Sequence, residues 1–321
     1  MDKRFHVVWR VPPQLDLVLM SGLLSGLGTL SRRGVISLSA EFVNDVVEVP
    51  YSLMEFVVTD TASGVTRNVV LDFYDQSAKI IPSALQFADV YFKRQLSAET
   101  RSATTPELRR KIVPLGLTIA GYASDALRQV FTSIYGSLRN RQVRKARSGL
   151  RDLLRHAYAD ARLWCTLPPP DSAVLQDSDV KEQRIVFQPR FWPTTPGSGD
   201  LFDVANEYRI ATIRALRKTF PNDRAIGFVH TAGLNEVSRD QFLDEHVTTA
   251  MYHGQLRSST IGVNCPGLSG SVGWKFSEYL AAGNAIVSQP IEKECFPPIE
   301  EDVHYLTYRS PDECVAQCLR L

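Results

Sequence analysis

Ser269–Pro290, SGSVGWKFSEYLAAGNAIVSQP, is the stretch that decides how the chain folds. Ser269, Gly270, Ser271 and Gly273 form a loop of small residues that lets a ligand approach the backbone. A helix is predicted from Trp274 to Ala282, and its unpaired first-turn amides point back at that loop, which makes a ready anion site. Lys275 lies in the first turn and Glu278 one turn on, both on one face. Gly283 ends the helix, and Asn284–Ser288, NAIVS, reads as the next strand.

Working outward, the second half repeats this alternation. Arg184–Gln188, Ala225–His230, Thr260–Asn264 and Asp302–Thr307 read as strands. Phe202–Phe220, Asp240–Leu256 and Asp312–Leu321 read as helices. The first half reads the same way. Strands are predicted at Phe5–Trp9, Val35–Leu38, Phe56–Thr59, Val69–Phe73, Asp89–Lys93 and Lys111–Pro114. Helices are predicted at Leu15–Leu30 and Ile81–Phe87, and Asp125–Arg162 is mostly helical. Strands alternating with helices predict parallel α/β sheets. Thr166–Gln183, with three consecutive prolines, reads as a linker. The expected fold is therefore α/β, with two doubly wound, Rossmann-like domains, 1–167 and 168–321, facing across a cleft.

Composition sets bounds on function. A chain of 321 residues has room for about two domains. With 44% hydrophobic and 22% charged residues it reads as a soluble globular protein, and a net charge of +1 gives no overall pull toward nucleic acid or membrane. Five scattered cysteines without a CxxC pair fit reduced thiols and a cytoplasmic location, and the start MDKRFHVVWRVPP lacks signal-peptide order. Cys314 and Cys318 lie four apart on the predicted terminal helix, but no His or second cysteine pair adjoins them, so no metal site is expected. Gly22 and Gly26 form a GxxxG, read as letting a helix pack closely on a sheet.

GWKFSEYLAAGNAIVSQPIEKE followed by EEDVHYLTY resembles the donor-binding half of GT-B-fold glycosyltransferases. The likeness is strongest over Thr260–Thr307 and looser over Arg184–His230. It implies transfer of a sugar from a nucleotide-sugar donor, with no cofactor and no metal, to a glycan or lipid-linked acceptor hydroxyl. It also implies roles for residues. Glu278 matches the closing Glu of an E-x7-E pattern, which holds the donor ribose, whereas Gly270 occupies the opening position. Gly273 matches the glycine at the diphosphate, Arg190 the arginine after the first strand of the domain, and Lys275 is a substitute for a missing later lysine. Nothing resembles the Asp-x-Asp metal signature of the other transferase fold. Asp72 and Asp75 are both acidic but three residues apart.

Acceptor activation needs a base. Asp72 and Asp75 follow a strand of the first half and are candidates, as is His230 at the end of AIGFVH. The plainer alternatives are loop-capping or solvated acids and a structural His. Arg257 is read as a phosphate ligand or a helix C-terminal charge, and His253 as a donor contact or a structural group. The basic residues of 139–155 make an amphipathic helix, read either as a solvated face or as a peripheral contact with the inner face of a membrane. No aromatics interleave with these charges, so nucleic acid is not expected. A non-catalytic nucleotide- or glycan-binding protein and a sugar-nucleotide epimerase are the alternatives to the transferase.

Overall fold

The computed structural model describes residues 3–11, 17–42, 52–119, 172–193, 201–229 and 239–321. The chain divides into two compact units, Met1–Pro170 with Glu294–Phe296, and Asp171–Lys293 with Pro297–Leu321.

The first unit carries a six-stranded sheet in the order β2-β1-β3-β4-β5-β6. Its strands are β1 (Phe5–Val11), β2 (Ile36–Phe42), β3 (Leu53–Asp60), β4 (Thr66–Asp72), β5 (Val90–Lys93) and β6 (Ile112–Pro114). β1 alternates as a half-covered strand should, with Val7, Trp9 and Val11 turned into a core shared with Phe56, Met54 and Leu71. α1 (Leu17–Arg32) connects the parallel pair β1 and β2. α2 (Pro82–Phe87) lies between β4 and β5, and α3 (Ala98–Ala103) and α4 (Pro106–Arg109) lie between β5 and β6. Those two pairs are also parallel.

The expectation of an all-parallel first sheet is corrected at β3. It runs antiparallel to both β1 and β4, so the sheet is mixed. The reason is the connection Thr61–Val65, far shorter than the dozen or so residues a parallel crossover needs. It closes as a hairpin, with Gly64 at φ 71 and the Asp60 side chain accepting from the Ala62 amide at 2.9 Å. The GxxxG of α1 also works differently from its reading. A Cβ on Gly22 would fall 2.5 Å from the Ile119 carbonyl oxygen, so Gly22 makes room for the chain beyond β6. Gly26 has nothing within 4 Å.

The second unit holds a parallel four-stranded sheet in the order β10-β9-β8-β7. The strands are β7 (Glu182–Val186), β8 (Ser259–Asn264), β9 (Ala285–Ser288) and β10 (Leu306–Thr307). Single parallel bridges, Phe187 to Ile226 and Phe228 to Phe242, extend it beyond β7. From β7 the chain passes through α5 (Leu201–Thr219) to the Ile226 side, then through α6 (Thr249–Ser258) to β8 on the other side of β7. The direction of winding therefore reverses between β7 and β8. α7 (Trp274–Ala281) links β8 to β9, and α8 (Pro311–Arg320) packs on α5.

The predicted helix from Asp240 shortens to Thr249–Ser258 because Phe242 joins Phe228 in a bridge and Thr248 caps the helix, its hydroxyl accepting from the Met251 amide. Cys314 and Cys318 sit in the core with Ile213, Val287 and Tyr308. Hydrogen bonding to Cys318, then burial, pushes the Cys314 thiol pKa far up. Both act as small core residues.

Candidate functional site

The element singled out by sequence is held at both ends. At its base, a Cβ on Gly262 would lie 2.6 Å from Tyr279 Cγ, so the bare β8 backbone lets the Tyr279 ring lie against the strand. The Tyr279 hydroxyl donates to the Val263 carbonyl at 3.0 Å. At the far end, the Lys181 ammonium donates to the Ser259 and Ala282 carbonyls, each at 2.7 Å. Asn284 adds a bond to the Leu256 carbonyl at 3.0 Å. These contacts aim the start of α7 at the loop that leaves β8.

That start is open. Gly273 is its N-cap, no side chain caps it, and a Cβ there would meet nothing within 4 Å. Ser269 and Gly270 are exposed and both left-handed, at φ 57 and 66. Ser271 is buried, and its carbonyl accepts from the Gly267 amide at 2.8 Å, which closes the loop on itself.

The loops leaving β7 and β8 diverge from the point where the winding reverses, which is where α/β sheets form their ligand crevice. One side chain ties them together. Arg209 of α5 is 4% exposed. It donates to the Arg190 carbonyl at 2.7 Å, to the Pro266 carbonyl at 3.0 Å and to Cys265 Sγ at 3.3 Å. Asn206 holds the first loop from the same helix, accepting from the Trp192 amide at 3.1 Å and donating to its carbonyl at 2.7 Å. The Arg190 guanidinium lies 5.4 Å from the Trp192 ring centroid. Lys293 lies beside the second loop, its Nζ 3.9 Å from a Cβ position on Gly270.

Lys275 and Glu278 meet through Tyr252 of α6. The Tyr252 hydroxyl donates to Glu278 Oε2 at 2.8 Å, and Lys275 Nζ lies 4.2 Å from the Tyr252 ring centroid. Burial pushes the Lys275 pKa below its ordinary value; Glu278 and Cys265 oppose this, while Arg190 and Arg209 add to it. Burial, with Glu278 beside it, pushes the Tyr252 hydroxyl well up. The arrangement gathers cations around an uncapped helix start and holds one carboxylate in a fixed orientation beside them.

Other expected residues lie elsewhere. Arg257 is engaged by Asp179 at 3.1 Å and by the Ser172 carbonyl, so it anchors the 172–179 segment to α6 and does not join the cation group. His253 shares a 2.7 Å hydrogen bond with Ser172 Oγ. Burial lowers its pKa, Glu278 raises it, and Arg257 and Lys275 lower it. In the first unit Asp72 is fully buried, so it does not face open space as expected. It accepts from Tyr91 Oη at 2.5 Å, the Tyr74 amide at 2.8 Å and Lys93 Nζ at 3.0 Å. Burial pushes the Asp72 pKa up and the Lys93 pKa down, against the attraction between them. Asp75 is the open one, its side chain 58% exposed and 3.0 Å from Arg94. His230 and the basic 139–155 segment lie outside the described residues.

Arg209, Tyr252 and Lys293 were not singled out from the sequence. For Arg209 the signal was present. Asn206, Arg209, Ile213 and Leu216 follow the apolar spacing of a helix, and all four are buried. Polar residues on that face must find partners when buried, which is the sign that they hold other segments in place. Lys293 and Tyr252 carry no comparable local mark.

Among the described residues no cluster of three or more His, Cys, Asp or Glu gathers to hold a metal, and no helix is long and apolar enough to cross a membrane. No protein-family model matches the chain, and no curated protein matches it significantly.

Proposed function

We propose that the protein is a nucleotide-sugar-dependent glycosyltransferase of the GT-B kind, with the donor carried by the second unit. The observation that supports this most is the group of cations at the sheet's reversal point: Arg209 bonded to the loops after β7 and β8, Arg190 and Arg209 close enough to act on Lys275, and Lys293 beside Gly270. Sugar transfer breaks a bond to a diphosphate, and the charge that builds there needs fixed donors. The α7 amides and these cations supply them. Glu278, held by Tyr252, takes the donor ribose hydroxyls. Asp75, the exposed acid after β4, takes the proton from the acceptor hydroxyl as that oxygen attacks the anomeric carbon.

Titration calorimetry against UDP, GDP and ADP sugars tests the donor site. A micromolar dissociation constant for one of them, weakened in Glu278→Ala, is expected; no binding across the panel refutes the proposal. Sugar transfer lost in Asp75→Ala with donor binding retained assigns the base. A non-catalytic binder is the second reading, favoured by Gly270 standing where the resemblance implies a Glu. Binding without transfer or donor hydrolysis across an acceptor panel selects it.

A further inference from the structure

We propose that Arg209 is the buried counter-cation of the bound diphosphate and the latch that sets the spacing of the two loops around it. The inference rests on the donor-site reading above only for the identity of the diphosphate's carrier.

A guanidinium has five N–H groups. Arg209 spends three, on the Arg190 carbonyl, the Pro266 carbonyl and Cys265 Sγ. Two N–H groups have no partner among the described residues, and no described carboxylate pairs with it. Burying a cation without a counter-charge is costly, and here the cost grows because Arg190 and Lys275 stand close enough to act on the same site. The fold tolerates three cations around one reversal point. A doubly charged ligand offsets that repulsion, and a planar fork suits two phosphate oxygens better than a point charge does.

The same side chain spans the site. Its Arg190 bond lies on the loop after β7, and its Cys265 and Pro266 bonds lie on the loop after β8. The spacing of those loops and the affinity for the anion therefore depend on one group. Removing it loosens the walls and removes a charge together. Changing it to lysine keeps the charge but gives up the fork.

The full chain is titrated with inorganic pyrophosphate, with UDP, GDP and ADP, and with the matching nucleosides. Far-UV circular dichroism checks folding of Arg209→Met and Arg209→Lys. Pyrophosphate and one nucleoside diphosphate are expected to bind the native chain. Arg209→Met should weaken both by about tenfold or more, Arg209→Lys should recover only part, and nucleoside affinity should not change. A nucleoside diphosphate that binds equally well without Arg209 overturns the proposal and leaves the donor site standing. Pyrophosphate that binds through Arg209 while every nucleotide fails upholds the proposal and overturns the donor reading. No anion binding overturns both.

Should Arg209→Met not fold, the native chain answers through Cys265. Its sulfur is 3.3 Å from Arg209 Nε, so saturating pyrophosphate should slow its alkylation relative to Cys295, read by peptide mass spectrometry. An unchanged ratio refutes the assignment.

Discussion

The buried pair Asp72–Lys93 separates two roles for Asp72, a structural charge and an acceptor base. Both side chains are 0% exposed, and their charged atoms lie 3.0 Å apart. Lys93 Nζ also reaches the Lys79 carbonyl at 3.0 Å and the Tyr74 carbonyl at 3.5 Å, so its three N–H groups all have acceptors. Asp72 keeps two further donors, Tyr91 Oη and the Tyr74 amide. Lys93→Met retains the stem and removes the cation, leaving a buried carboxylate without its counter-charge. Breaking such a pair on one side costs about 3–5 kcal/mol, and Asp72→Asn, which leaves Lys93 without its counter-charge, falls in the same range. The double change Asp72→Asn with Lys93→Met leaves no charge behind and should cost less than the two singles summed, with a coupling of about 2 kcal/mol.

Urea unfolding, followed by tryptophan fluorescence and circular dichroism, measures each arm. Trp9 reports on unfolding of the sheet that carries the pair, because it is buried on β1 and stacks with Phe56 of β3 at 6.4 Å. A loss below about 1 kcal/mol for Lys93→Met, or strict additivity in the cycle, refutes the reasoning. Activity per folded molecule completes the test. It should be retained in Asp72→Asn, and a well-folded but inactive variant would restore Asp72 as the base.

Three further predictions concern the second unit. Gly262→Ala should destabilise by about 1–3 kcal/mol in thermal or urea unfolding, because its Cβ would fall on the Tyr279 ring 2.6 Å away. Lys181→Met should cost about 2 kcal/mol, measured the same way, since two carbonyls at 2.7 Å lose a charged donor and Asn284 covers only part of the loss. Stability should also fall as pH drops below about 6.5. His253 has a pKa below its ordinary 6.5, so the unfolded chain binds the extra proton first and stability is lost as pH falls toward the folded pKa. His253→Gln should flatten that slope in pH-dependent unfolding, and an unchanged slope removes His253 as its source.

Much of the second unit was legible because its signals are local. Thr260–Ser288 contains two apolar strand runs, a small-residue loop and a glycine stop, and each acts within a few residues. The predicted bounds of α5 and of β7 to β9 fall within a few residues of those found. The first unit was read less well because its strands alternate in the same way whichever direction they run. Only the length and turn chemistry of Thr61–Val65 carried the antiparallel signal.

By itself, the amino-acid sequence determined an α/β protein whose second half carries a β-loop-α element with an open helix start. Backbone propensity, capping and periodicity act over one or two turns of chain. The tertiary structure alone decided that Asp72 is enclosed by Lys93 and Tyr91, that Tyr252 orients Glu278, and that Arg209 joins the walls of the site. Those partners stand 19 to 57 residues apart along the chain. Burial and hydrogen-bond geometry choose them, and neither exists until the sheets have formed.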